Sequence, residues 1–241
     1  MKIVLHICRR DLGSLFDSLT GYIILVLFLG LSGFFTWLFG QDIFFVEQAS
    51  LDVFFEVAYW TIFFFVPALT MQMLAEEKKS GTFELLITKA IEDWQIVAGK
   101  FLASWFVLLF ALILTIPYYV TVAWLGPVDH GGTIGGYVSL LLIGAAYCSI
   151  GIFSSSLTQN QIVAYLIALF LAAFFHIIFY VLHSQLTGYM ADMFYFLSFE
   201  THYNSMSRGV FDSRALVYIL TIIAAGLFFA GEVLNSRNRS V

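Results

Sequence analysis

The chain has 241 residues, of which 61% are hydrophobic and 11% charged, and its formal net charge is −5. Soluble domains carry roughly 25% charged residues, and a soluble fold of this size has too little interior to hide so much apolar surface. The two cysteines, Cys8 and Cys148, lack the paired spacings of a disulfide framework or a zinc site.

In chain order, residues 1–19 read as an amino-terminal interfacial helix. Ile3, Ile7, Leu15, Phe16 and Leu19 interleave with Arg9, Arg10 and Asp11, a pattern suited to lying along lipid headgroups. The apolar run 20–40 is longer than a signal-peptide core of roughly 7–15 residues and no A-x-A cleavage site follows, so it reads as a retained span. A span needs about 20 mostly apolar residues, and five more runs qualify: 54–75, 96–125, 135–157, 161–184 and 215–234. Pro67 and Pro117 fall inside spans two and three, where membrane helices tolerate kinks if neighbours satisfy the freed carbonyls. The expected fold class is an all-α membrane protein of six transmembrane helices forming one domain over 1–241. It comprises spans one to five over 20–184, an outward segment 185–214, span six, and a tail 235–241.

Charge placement orients the spans. Lys2, Arg9, Arg10, Lys78, Lys79, Lys89, Lys100, Arg237 and Arg239 fall on one side, and Arg208 and Arg214 on the other. The positive-inside rule then puts both termini in the cytoplasm. Asp42, Glu47, Asp52, Asp129, Asp192, Glu200 and Asp212 fall outside. The outward segment is rich in aromatics (Tyr189, Phe194, Tyr195, Phe196, Phe199, Tyr203) and is expected to form short helices at the outer leaflet.

The inward loop between spans two and three is the most informative segment. It runs Glu76-Glu77-Lys78-Lys79-Ser80-Gly81-Thr82-Phe83-Glu84-Leu85-Leu86-Ile87-Thr88-Lys89. Gly81 and Thr82 interrupt a helix, Thr82 is a candidate N-cap, and Glu84 in the first turn suits the helix dipole. Phe83, Leu86, Ile87 and Ala90 then share one face. Such a helix either rests on the bilayer surface or docks in a partner's groove.

The run E-E-K-K-x-G-T-x-E-L-L, followed by Trp94-Gln95-Ile96-Val97 and Gly99-Lys100, resembles the ABC-2 type ABC transporter permeases. The stretch His202-Tyr203-Asn204-Ser205-Met206-Ser207-Arg208-Gly209-Val210-Phe211-Asp212 and the inward loop Ser156-Leu157-Thr158-Gln159-Asn160-Gln161 resemble the gliding-motility permease GldF branch of that family. Ala90 departs from the pattern, since relatives often carry proline there. The resemblance implies a bacterial inner-membrane permease subunit, exporting or tied to gliding motility. In such a subunit Glu76, Glu77, Lys78, Lys79, Gly81, Thr82, Phe83, Glu84, Leu86 and Ile87 form a coupling helix docked on a separate ATPase dimer. Thr158, Gln159, Asn160 and Gln161 form a second inward loop. It also implies a second permease subunit, either a different gliding-motility-type chain or a second copy.

No G-x-x-x-x-G-K-[ST] phosphate loop occurs: Gly99-Lys100 is followed by Phe101 and lacks the upstream glycine and the magnesium-binding hydroxyl. The chain is therefore expected to be non-catalytic and to hold no cofactor, with ATP and magnesium on the partner. No basic tract points to nucleic acid. His176 is the ionisable group nearest mid-bilayer on span five, at the end of a stripe of Ala164, Ala168 and Ala172. Small-residue stripes let helices approach, so a helix interface is favoured over a substrate contact. His176 and His183 lie seven residues apart, about 10.5 Å along a helix, too far to share a metal. An alternative function is mechanical or conformational transmission within an envelope machine, without transport. An ion-coupled transporter would call for broken helices and midplane charge, often with an inverted repeat, and the sequence shows neither a repeat nor such charge.

Overall fold

The computed structural model describes residues 2–38, 50–82, 92–210 and 212–238, all helix and connection with no strand among them. Helix α1 (Lys2–Asp17) precedes span one, α2 (Leu19–Trp37). Ser18 caps α2, its hydroxyl accepting from the Gly21 amide at 3.1 Å. Ser18 itself is extended, which ends α1 and starts α2 as a separate helix. Span two is α3 (Asp52–Thr70) followed by α4 (Gln72–Ser80), with a break at Met71. Span three is α5 (Asp93–Ile113) followed by α6 (Ile116–Leu125). Its break precedes Pro117, which has no N–H to continue the ladder. The Tyr137 hydroxyl donates to the Thr115 carbonyl at that break, at 3.2 Å.

Span four is one unbroken helix, α7 (His130–Leu157). Span five is α8 (Gln161–Ala173), a π-helical turn (Phe174–Ile178) and α9 (Phe179–Gln185). Two short helices follow, α10 (Tyr189–Leu197) and α11 (Phe199–Met206), before span six, α12 (Ser213–Asn238). Six helical stretches are thus long and apolar enough to cross a bilayer, matching the six expected spans to within a few residues at each end.

Helix α7 is the axis of the bundle. In the most apolar window of its span 78% of residues are buried, against 22% for spans five and six. Small residues make this possible. A Cβ on Gly144 would stand 2.1 Å from Leu108 Cδ2, and one on Gly151 would stand 1.9 Å from Thr70 Oγ1. Spans two and three therefore pack on α7 at a distance only glycine permits. The spans left apolar at their surface need lipid or another chain against them.

At the end of the bundle away from α1, α10 and α11 are tied down by side chains that bond backbone oxygens. The Tyr203 hydroxyl donates to Phe55 O at 2.8 Å, and His202 Nε2 donates to Phe196 O at 2.8 Å. The Tyr218 hydroxyl donates to Leu197 O at 2.6 Å.

Candidate functional site

Four charges meet where α1, α4 and α5 converge. Lys100 Nζ lies 2.8 Å from Glu77 Oε2 and 3.1 Å from Asp11 Oδ2. Arg10 Nη2 lies 2.7 Å from Asp11 Oδ1 and 2.6 Å from Glu77 Oε1. Each carboxylate thus bridges both cations. The Lys100 side chain is 1% exposed and that of Arg10 is 45% exposed, so the network runs from the interior to the surface. Its charges sum to zero, which is the condition under which an ammonium can be held out of water.

Helical geometry produces this juxtaposition. Val4, Ile7, Cys8, Asp11 and Leu15 form the buried face of α1, at the three- and four-residue spacing of a helix stripe. Gly99 lets that face approach α5, since a Cβ there would meet Ile7 Cβ at 2.8 Å. Lys100, one residue on, then reaches Asp11. The sequence suggests Asp11 on the polar side of α1, and Lys100 as a positive-inside residue and part of the Gly99-Lys100 motif. The structure puts both in the interior, because each neutralises the other.

Helix α4 carries the chain from this network toward the loop. Its first turn is held by span four: Ser155 Oγ accepts from the Leu74 and Ala75 amides, each at 3.0 Å, and donates to Met71 O at 2.9 Å. A side chain inserted into the helix ladder in this way accounts for the break between α3 and α4. Lys78 Nζ donates to Ser156 O. Gly81 ends α4 with φ 73°, a conformation that favours glycine.

Of the sequence-predicted loop residues, Glu77 and Lys78 are engaged within the chain, whereas Glu76, Lys79, Gly81 and Thr82 are exposed. The Thr82 hydroxyl bonds Ser80 Oγ at 2.8 Å. Phe83, Glu84, Leu86 and Ile87, the expected docking face, lie outside the described residues, as does Ala90. In the second loop, Asn160 Oδ1 caps α8 by accepting from the Ile162 amide at 2.9 Å, and Thr158 Oγ1 accepts from the Asn160 amide at 3.1 Å. Gln159 is exposed and Gln161 opens α8. This loop reaches the same end of the bundle as α4, α7 supplying Ser155 and Ser156 just before it.

His176 stands apart from these groups. The π turn places it against span two, its ring stacked on Tyr59 and Phe63 with centroids 4.3 and 4.7 Å away. Its Nδ1 lies 2.7 Å from the Tyr147 hydroxyl, and Nε2 is buried without a partner. Ala164, Ala168 and Ala172 are buried along the same stripe. Tyr147, the partner that span four offers, is one that spacing on span five alone could not reveal. Among the described residues no cluster of His, Cys, Asp or Glu could hold a metal.

A six-span helical bundle, with a buried charge network tying its first helix to the root of a loop, defines a multi-pass membrane protein. A family model described as "ABC-2 family transporter protein" matches residues 39–230. That range covers most of the chain, and the chain belongs to the ABC-2 transporter family, whose members are membrane permease subunits. No curated protein matches the chain.

Proposed function

We propose that the chain is the permease half of a bacterial ABC transporter, driven by a separate ATPase that docks at the α4 end of the bundle. The observation that carries this reading is the Arg10–Asp11–Glu77–Lys100 network. It makes the root of the loop, α1 and span three one mechanical unit, so a push on the loop is passed to helices on both sides of it. Ser155 supplies the fulcrum, holding α4 to span four while α3 continues from the break.

In this scheme both termini face the cytoplasm of a bacterial inner-membrane protein. Exposed Glu76 and Lys79, with Phe83, Glu84, Leu86 and Ile87 beyond them, meet the ATPase dimer. The apolar faces of the outer spans meet lipid and a second permease subunit, a related gliding-motility-type chain or another copy. ATP and magnesium stay on the ATPase. The likeness of the sequence to the gliding-motility branch supports a role in motility or secretion.

The test starts from the complex purified from its native membrane, with its subunits identified. Phe83→Ala combined with Leu86→Asp is expected to abolish ATPase co-purification while the permease stays folded. Undiminished binding and ATPase stimulation would overturn the docking.

A further inference from the structure

We propose that the chain carries a phosphate-ester site at the end of the bundle opposite the charge network, centred on Arg208 and fitted to a lipid headgroup. A cavity of about 550 Å³ lies between the end of span five and helices α10 and α11. Its lining includes Tyr180, His183, Tyr195, Asn204, Ser205 and Arg208, and it contains no carboxylate. Arg208 makes no ion pair or hydrogen bond among the described residues, and neither do the side chains of Tyr180, Tyr195, Asn204 and Ser205. The cavity thus gathers one cation that forms no ion pair and four neutral groups able to donate hydrogen bonds. A tetrahedral phosphate, with several acceptor oxygens and a full negative charge, is complementary to that set. On its other side Arg208 borders a second cavity that Asp52 and Asp129 line. Neither forms an ion pair with it, so the guanidinium remains open to an external anion.

The site is built rather than incidental. Gly209 has φ 80°, and its amide donates to Met206 O at 2.9 Å, closing the turn that presents Arg208. The turn rests on α7: a Cβ on Gly135 would lie 2.4 Å from Met206 O and 3.0 Å from Gly209 N. The opposite wall is fixed by His183 Nδ1, which donates to Ala191 O at 3.0 Å, and by the His183 and Tyr195 rings, 4.9 Å apart. Two observations favour a lipid over a soluble phosphate. Val210, in the wall of the cavity, is 60% exposed, which suits an acyl chain. Tyr180 and Tyr195 at its rim are amphipathic rings of the kind that settle at headgroup level.

The experiment is native mass spectrometry of the detergent-purified chain, with no ATPase present, so it is independent of the docking scheme. Dioleoylphosphatidylglycerol and dioleoylglycerol, which share tails but differ in the phosphate, are titrated separately. The wild-type chain is expected to retain the phospholipid selectively. Arg208→Gln is expected to lower that retention about tenfold, the scale of one lost charge-assisted hydrogen bond. Arg214→Gln, which removes a cation at the same end but outside the cavity lining, is expected to match wild type. Asn204→Ala with Ser205→Ala gives a second reading if Arg208→Gln does not fold. Equal retention of the two lipids, or unchanged retention in both folded variants, would overturn the site. Displacement of the phospholipid by millimolar glycerol phosphate would overturn the lipid and assign the same donors to a soluble phosphate ester.

Discussion

At the scale of single residues, the physics is that of charge kept out of water. Lys100 is tolerable in the interior only because Asp11 and Glu77 sit within 3.1 Å of its ammonium. Asp11→Asn removes one of those charges and leaves a net positive network. It is expected to cost about 3 kcal/mol, as for a broken buried pair. Adding Lys100→Met restores neutrality, so the double variant should be more stable than Asp11→Asn alone. Reversible unfolding in detergent measures both, and additive losses would sink the coupling. His202 offers a different test. Burial lowers its pKa from the usual value, against the opposing pull of the Phe196 carbonyl and the Asp212 charge. The unfolded chain therefore binds the proton first as pH falls through about 6.5, and stability from neutral His202 is present above that pH and lost below it. His202→Gln keeps an N–H for Phe196 but does not titrate. Its melting-temperature deficit relative to wild type should shrink between pH 7.5 and 5.5; a deficit constant with pH would contradict this.

At the scale of elements, the spans were legible because lipid imposes a single rule, an apolar stretch of sufficient length. What was not legible is where helices break and what crosses between them. Pro67 marked span two as bent, but the break falls at Met71, where Ser155 from another span enters the ladder. Nothing in Ser154-Ser155-Ser156 distinguishes the middle serine, because its role depends on which way α7 faces. The ion pair of Asp11 with Lys100 was likewise not legible, since pairing over 89 positions leaves no local trace. Asn160, read only as part of the second inward loop, caps α8 in the structure. The Ser155 joint makes a direct prediction. Ser155→Ala leaves the Leu74 and Ala75 amides without their acceptor, at a cost of about 2 kcal/mol. Hydrogen exchange at these two amides should quicken about tenfold or more, with α5 amides unchanged. Unaltered exchange would mean that the two amides find another acceptor.

At the scale of the whole molecule, the two ends of the bundle differ in charge, and that difference makes a prediction about sidedness. Arg9, Arg10, Lys78 and Lys79 gather at the end shared by α1, α4 and the start of α8, whereas Asp52, Asp129, Glu200 and Asp212 lie at the end shared by α3, α7 and α11. Translocation disfavours lysine and arginine far more than acidic residues, so the first end should stay in the cytoplasm. The proposed ATPase docking depends on this, because ATP is available only there, while the proposed Arg208 site would open to the other leaflet. Cys8 and Cys148 are buried, which suits a chain in which both are replaced by alanine and single reporters added. Lys79→Cys and Ser236→Cys probe one end, and Tyr189→Cys, at a residue 82% exposed, probes the other. A membrane-impermeant maleimide applied to spheroplasts should label Tyr189→Cys at once and the other two only after permeabilisation. The reverse pattern would leave the six-span fold intact but would place the charge network, the loop and Ser155 beyond reach of any cytoplasmic ATPase.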